Sequence, residues 1–194
     1  SLGSENAIKE LDSHMQSKLF VGIRDFNAEI MFTRKEISPT YEASLAYMTK
    51  HKLVFDLDCE WPNMAEALKL AQRHPELEIV LQHIGFPRKR DAAYFASWKS
   101  EINKLATAQN VTMKISGLPM TDPLFSKESL RPWAEASLEA FGPKRCVLGS
   151  NWPVDRLFTS YATIIEFMRE YIGTLSQSEQ ALICNGNAKR LYRF

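Results

Sequence analysis

Five apolar runs rich in Val, Ile and Leu each meet a side chain that can do chemistry. The run at 21–23 stops at Arg24, the run at 54–57 at Asp58, the run at 79–81 just before His83, and the run at 147–149 just before Asn151; the run at 111–115 carries Lys114 inside it. Arginine and lysine can hold a carboxylate or a carbonyl oxygen. An imidazole can bind a metal or polarise a carbonyl. A carboxylate can take a proton from water, whereas an amide can only orient one. Gathered at one place, these five would make a hydrolytic site.

The order of the elements says how they would be gathered. Consecutive runs lie roughly thirty residues apart, with a helical pattern between them, which is the signature of a βα repeat. The strand runs are nearly continuous apolar stretches rather than strict alternations, favouring a parallel sheet covered by helices. In a parallel barrel the carboxyl ends of the strands carry the chemistry. The expected fold is therefore α/β, of TIM-barrel type but incomplete: five βα units in a single domain over 1–194, where a closed eight-unit barrel takes about 250 residues.

Along the chain, helices are expected at 5–17 (capped by Ser4), from Pro39, behind Pro62, at 91–108, 129–140, 159–173 and 176–184. Ser176 with Glu179 fits a capping box for the last. Residues 26–38 read as irregular and 119–127 as a loop with two prolines. Trp98, Ile102 and Leu105 should face the core.

Each candidate has a plainer reading beside the chemical one. His83 could simply bond a backbone carbonyl. Lys114 shares a strand face with Thr112 and Ser116 and could pair with Asp56 or Asp58 instead of a substrate. Arg24 could pair with an acid on the next strand. Asp58, nearer the strand end than Asp56, is the better general base, with Glu60 behind it. Trp152 would wall a substrate pocket together with Trp98, unless Trp98 is only core. Asp155 reads as a helix cap. His14, His51 and His74 fall on helices or their ends and read as solvated.

The bulk numbers exclude several classes. The chain has 194 residues, 45% hydrophobic and 24% charged, with a net charge of +1. That gives no electrostatic case for nucleic acid or an anionic membrane, and no apolar stretch approaches a membrane span. The three cysteines, Cys59, Cys146 and Cys184, read as reduced thiols of a cytoplasmic protein.

Four stretches carry a resemblance. Ile-Val-Leu-Gln-His-Ile-Gly-Phe-Pro at 79–87, Val-Thr-Met-Lys-Ile-Ser-Gly-Leu at 111–118, Phe-Gly-Pro-Lys-Arg-Cys-Val-Leu-Gly-Ser-Asn-Trp-Pro-Val-Asp at 141–155 and Asn-Ala-Lys-Arg-Leu-Tyr at 187–192 resemble, in order and in register, the amidohydrolase-2 family. These barrel enzymes include lactonases of sugar acids and of pyrone dicarboxylates. The resemblance runs from about residue 18 to the end and implies the carboxyl-terminal two-thirds of such a barrel. The first three strands, and the His-x-His pair that the first of them normally carries, are missing. It makes His83 the sixth-strand histidine. It also places Asn151 where the family most often has an aspartate, a metal ligand or the base for the attacking water.

The expectation is a hydrolase, lactonase-like, acting on a lactone or a carboxylated cyclic substrate. His83, Asp58 and Asn151 would be catalytic and Arg24, Lys114 and Trp152 would bind substrate, with activity of the isolated chain left open. No metal is expected on this chain. A divalent ion, zinc or manganese, would belong to an intact enzyme. Open sheet edges should favour a homo-oligomer. The alternative is a non-catalytic relative that binds a small acid or a protein, which the asparagine at 151 would suit.

Overall fold

Five parallel strands stand side by side in sequence order, β1 (Gly22–Asp25), β2 (Val54–Leu57), β3 (Ile79–Leu81), β4 (Val111–Ile115) and β5 (Cys146–Leu148). The structure is a computed structural model that describes residues 1–122 and 125–194; Pro123, in the expected loop at 119–127, lies outside the described residues. The strands form the arc of an incomplete TIM barrel. Each crossover carries at least one helix: α2 (Ala28–Arg34) and α3 (Pro39–Lys50) after β1, α4 (Met64–Arg73) after β2, α5 (Ala92–Leu105) after β3 and α6 (Lys127–Phe141) after β4. Helix α1 (Ala7–His14) precedes β1, and α7 (Tyr161–Ile172), α8 (Gln177–Ala181) and α9 (Asn187–Tyr192) follow β5. No helix among the described residues is long and apolar enough to cross a membrane.

Strand alternation sorts the core into two faces. Phe55, Leu57, Ile79, Leu81, Val111, Met113, Ile115 and Cys146 point outward and join one large cluster with the helices, including Trp98, Ile102 and Leu105, each fully buried. Val54, Val80 and Val147 point inward and form a second cluster with Leu191 and Tyr192 of α9. Helix α9 thus closes the inner face at the amino ends of the strands. Arg190 reaches Glu78 just ahead of β3 at 3.1 Å, and Arg193 donates to the carbonyl of Lys52 just ahead of β2. Buried Asn187 fastens this helix by donating through Nδ2 to the carbonyls of Pro143 and Cys146, both at 2.7 Å.

Several boundaries differ from the sequence reading. The expected helix at 5–17 shrinks to Ala7–His14, and its N-cap is Asn6, with no side-chain bond, rather than Ser4. The stretch at 26–38 is not irregular: Ala28, Met31 and Phe32 bury one face of α2. Ser38, Asp91 and Ser126 cap α3, α5 and α6. The capping box of Ser176 and Glu179 starts α8 as expected, and the chain then runs through one wide helical turn, Leu182–Gly186, into α9.

Candidate active site

The register of β1 on β2 sets Arg24 opposite Asp56, so both face the inside of the arc, and Asp58 follows on the same face just past the strand. Arg24 Nε donates to both carboxylate oxygens of Asp58, at 2.8 and 3.0 Å. The guanidinium lies 4.6 Å over the ring of Phe26 and keeps some exposure. Arginine–aspartate pairing is therefore what the fold provides here, which is the plainer of the two readings of Arg24. It also engages the two oxygens that a general base at Asp58 would use. Burial raises the Asp58 carboxyl above its ordinary value, and Arg24 and then Lys114 offset only part of that rise.

Strand β3 ends at Leu81, and the chain then turns through a left-handed segment. His83, Ile84, Gly85 and Phe86 have φ values of 50°, 49°, 73° and 49°. Left-handed backbone costs non-glycine residues energy, most of all a β-branched one such as Ile84. The turn is held by burial of Ile84 and by Trp98 Nε1, which donates to the Ile84 carbonyl at 2.8 Å. It points the His83 ring across to β4, where Nδ1 lies 2.8 Å from Ser116 Oγ. Gly117 makes room for it, since a Cβ there would come within 3.2 Å of His83 Nδ1 and 2.6 Å of Met120. Only 6% of His83 is exposed. Burial, with the positive charges of Arg24 and Lys114, lowers its pKa to about 4, so the ring is neutral at pH 7.

Lys114 Nζ donates to Gln82 Oε1 at 3.0 Å and not to Asp56 or Asp58. A Cβ on Gly149 would stand 3.1 Å from Lys114 Cε and 3.2 Å from Ser116 Cβ, so the glycine lets β5 close on this part of β4. Asp56 accepts from Tyr192 Oη at 3.0 Å. Burial raises its carboxyl, and Lys114, Tyr192 and Arg24 offset part of that. Arg24, Asp56, Asp58, Gln82, His83, Lys114 and Ser116 therefore share one rim, and its two cations face two carboxylates.

Asn151, past the end of β5, also has a left-handed φ of 55°. Its Nδ2 donates to Asp155 Oδ1 at 2.6 Å, and no side-chain bond joins it to the rim residues among those described. Asp155 is fully buried and its Oδ2 has no partner among the described residues. Burial lifts its pKa to about 6, against the opposing hydrogen bond from Asn151. It does not cap α7; Ser160 does. Trp152 is 43% exposed and packs edge-on against Tyr161 at 5.5 Å. Trp98 is core. His74 is more enclosed than expected, with 14% of its side chain exposed and its Nε2 2.7 Å from Glu42. A cleft of about 450 Å³ opens beside β5, lined by Leu148, Gly149, Tyr161 and Met168; His83, Arg24 and Lys114 do not line it.

Ser116, Gln82, Tyr192 and Asp155 were not singled out as site residues in the sequence. Ser116 was within reach, since it alternates with Lys114 on one strand. The others needed the register and the course of the last helix.

The described residues of this chain do not by themselves complete a divalent-metal site. Among the described residues no group of three or more His, Cys, Asp or Glu side chains is placed to hold an ion. Asp58 is engaged by Arg24, and one nitrogen of His83 is engaged by Ser116. Catalytic zinc takes three protein ligands and an open position.

The chain is similar to several known proteins. It is 34% identical to the uncharacterised protein y4mH of Sinorhizobium fredii over 94% of this chain and 64% of that protein. It is 29% identical to L-fucono-1,5-lactonase of Burkholderia ambifaria over 99% of this chain and 68% of that enzyme. The chain thus spans about two-thirds of the length of these curated relatives. Among solved structures, an amidohydrolase of Burkholderia multivorans with bound zinc superposes with a TM-score of 0.89 at 23% identity, covering 100% of this chain and 71% of the other, which supports the barrel fold. The amidohydrolase family model matches residues 2–194, and the chain belongs to that family.

Proposed function

We propose that the protein is a lactonase-type hydrolase whose substrate is an uncharged lactone. The observation that carries this reading is the gathering of His83, Arg24 and Lys114 at one rim, with Asp56 and Asp58 balancing the two cations. Donors and cations placed around a carbonyl oxygen stabilise the oxyanion that forms when water attacks a ring ester. In this scheme Lys114 and neutral His83 polarise the carbonyl, Arg24 orients the ring oxygens, and Asn151 or Asp58 positions the water. The balanced charge of the rim favours a neutral sugar lactone over a carboxylated ring. L-Fucono-1,5-lactonase, matched over 99% of this chain, supports the same substrate class and disfavours a purely binding role.

Trp152, half-exposed, would wall the approach to Asn151. A divalent ion would need ligands beyond Asp58 and His83, and no step here depends on one. We take residues 1–194 as one domain, because the main core cluster runs from Leu2 to Ile183. We also propose a cytoplasmic protein, in keeping with three unpaired thiols, that self-associates.

The test is a hydrolysis screen of the full-length protein against aldono-lactones and pyrone dicarboxylate, with and without added divalent ions. Turnover of a neutral lactone is expected. Turnover confined to the dicarboxylate would reverse the charge argument, and no turnover of any lactone would end the reading.

A further inference from the structure

Ser116 and His83 contain a proton whose place can be worked out. Ser116 has no solvent exposure, and its only side-chain partner among the described residues is His83 Nδ1 at 2.8 Å. A hydroxyl carries one hydrogen and accepts through two lone pairs. If Nδ1 held the imidazole proton, it would donate to Ser116 Oγ. The hydroxyl hydrogen would then be buried with no acceptor, and an unmet buried donor is costly. If Nδ1 carries the lone pair instead, the hydroxyl donates to it and both groups are satisfied. The ring's proton then sits on Nε2.

Nε2 has the opposite surroundings. It has no protein partner among the described residues, yet it is absent from the sealed, unpartnered polar atoms, which are Tyr41 Oη, two guanidinium nitrogens of Arg90 and Asp155 Oδ2. Nε2 is therefore the nitrogen that opens on the rim. Arg24 and Lys114 lie close enough to disfavour a second proton, and with it a positive charge, on the ring.

We infer that the Ser116 hydroxyl holds His83 as the neutral Nε2–H tautomer, so that the site presents a fixed hydrogen-bond donor, and no lone pair, to whatever enters. Ser116 is a positioning residue, acting through His83. The ligand that this donor recognises is an oxygen acceptor, a carbonyl or ring oxygen, and not a metal ion. The identity of that oxygen as a lactone's rests on the proposed function; the tautomer does not.

The experiment is a long-range proton–nitrogen correlation on protein carrying nitrogen-15 in its histidines, at pH 7. His83→Gln identifies the His83 signals. In the unsubstituted protein Nδ1 should appear as the unprotonated nitrogen, with the Nε2–H form in excess by roughly tenfold or more. A dominant Nδ1–H form, or comparable amounts of the two, would overturn the inference. Ser116→Ala should shift the Nδ1 resonance, and Ser116→Thr, which keeps the hydroxyl, should restore it. An Nδ1 signal unmoved by Ser116→Ala would remove the serine's role. Adding one equivalent of zinc should leave Nε2 unchanged, and a stoichiometric shift of that nitrogen would likewise refute the assignment. None of these readouts requires turnover, so a failed lactone screen and a failed tautomer assignment are told apart.

Discussion

His83 and Asn151 stand at the tips of β3 and β5 with nearly the same left-handed backbone, φ 50° and 55°. Each is tied by one short side-chain bond, His83 to Ser116 on the neighbouring strand and Asn151 to Asp155 four residues on. Asparagine adopts this conformation more readily than most residues, and histidine shares some of that tolerance. Both tips therefore turn sharply out of the sheet while keeping the side chain anchored. Unusual backbone held by surrounding packing is a common mark of functional sites.

Replacing His83 should separate its chemistry from its place in the fold. His83→Ala removes the donor facing the rim and should lower kcat by on the order of 10² to 10³-fold, the range for removing a single oxyanion donor. His83→Gln, which keeps a polar N–H donor, should recover part of the loss. Steady-state kinetics on the lactone found in the screen checks this. Unchanged turnover in His83→Ala would remove the residue from the mechanism.

Two buried groups give opposite pH dependences. His83 falls from its usual 6.5 to about 4 on folding. The folded state binds fewer protons than the unfolded chain between those values. Its stabilisation is complete above the unfolded value and is lost as pH falls through about 4. Asp155 rises from 3.8 to about 6, so its contribution is complete below 3.8 and is lost as pH rises through about 6. Asp56 and Asp58 are raised in the same sense as Asp155. Between pH 4 and 6, His83→Gln should therefore make stability fall more steeply with rising pH, and Asp155→Asn should make it fall less steeply. Denaturant unfolding at half-unit steps reads both slopes; identical slopes in all three proteins would show that neither shift exists.

The fold was legible in the sequence to the extent that it depends on periodicity. Nearly continuous apolar runs mark the strands. Val54, Val80 and Val147 fall on the inner face, and Phe55, Ile79 and Cys146 on the outer. Helix α2 was missed because no side chain caps it, although Ala28, Met31 and Phe32 carry the helical spacing. The site was legible only as a set of strand ends. Which groups pair depends on register, and the separation of 33 positions between His83 and Ser116 hides their contact. Arg24 and Asp58 could be seen as partners in principle, but not that both carboxylate oxygens would be taken. The tail motif at 187–192 looks like a family signature and proves architectural: Asn187 pins α9, and Tyr192 reaches Asp56.

That architectural reading has its own consequence. Asn187→Ala takes the donor away from the buried carbonyl of Cys146 and the part-buried one of Pro143. An unmet buried polar group costs about 1–3 kcal/mol, so the loss should be about 1–3 kcal/mol from Cys146 and less from Pro143, with the end of the chain released first. Hydrogen exchange should show residues 187–192 losing protection ahead of β2 and β3. Equal loss across the sheet, or none, would contradict the pinning role.

Arg24 and Asp58 should behave as a coupled pair rather than as independent substrate contacts. Arg24→Ala leaves a half-buried carboxylate without its donor, and Asp58→Asn leaves the guanidinium without its counter-charge. The pair is partly exposed, so the coupling should be about 1 kcal/mol. A double-mutant cycle on unfolding free energy measures it. Additive effects would mean that the contact contributes nothing, which would free Asp58 for the role of base.

Asn151→Asp is the most discriminating change. It sets a second carboxylate beside Asp155, across a contact now 2.6 Å long. Two carboxylates that close cannot both ionise, and one of them retains a proton that the pair shares. Asp155 alone already titrates at about 6. The pair should therefore lose its last proton at an apparent value above that, the titration belonging to both residues together. The variant should be most stable near pH 4, where one proton bridges the two oxygens much as the amide hydrogen does now, and should lose stability progressively as pH rises from there through the pair's apparent value. Adding Asp155→Asn reverses the donor and acceptor without leaving two charges, and should restore stability at pH 8. Carbon-13 carboxyl titration of the single variant follows the shared proton directly. Two independent titrations near pH 4 would show that the side chains at 151 and 155 do not touch in solution.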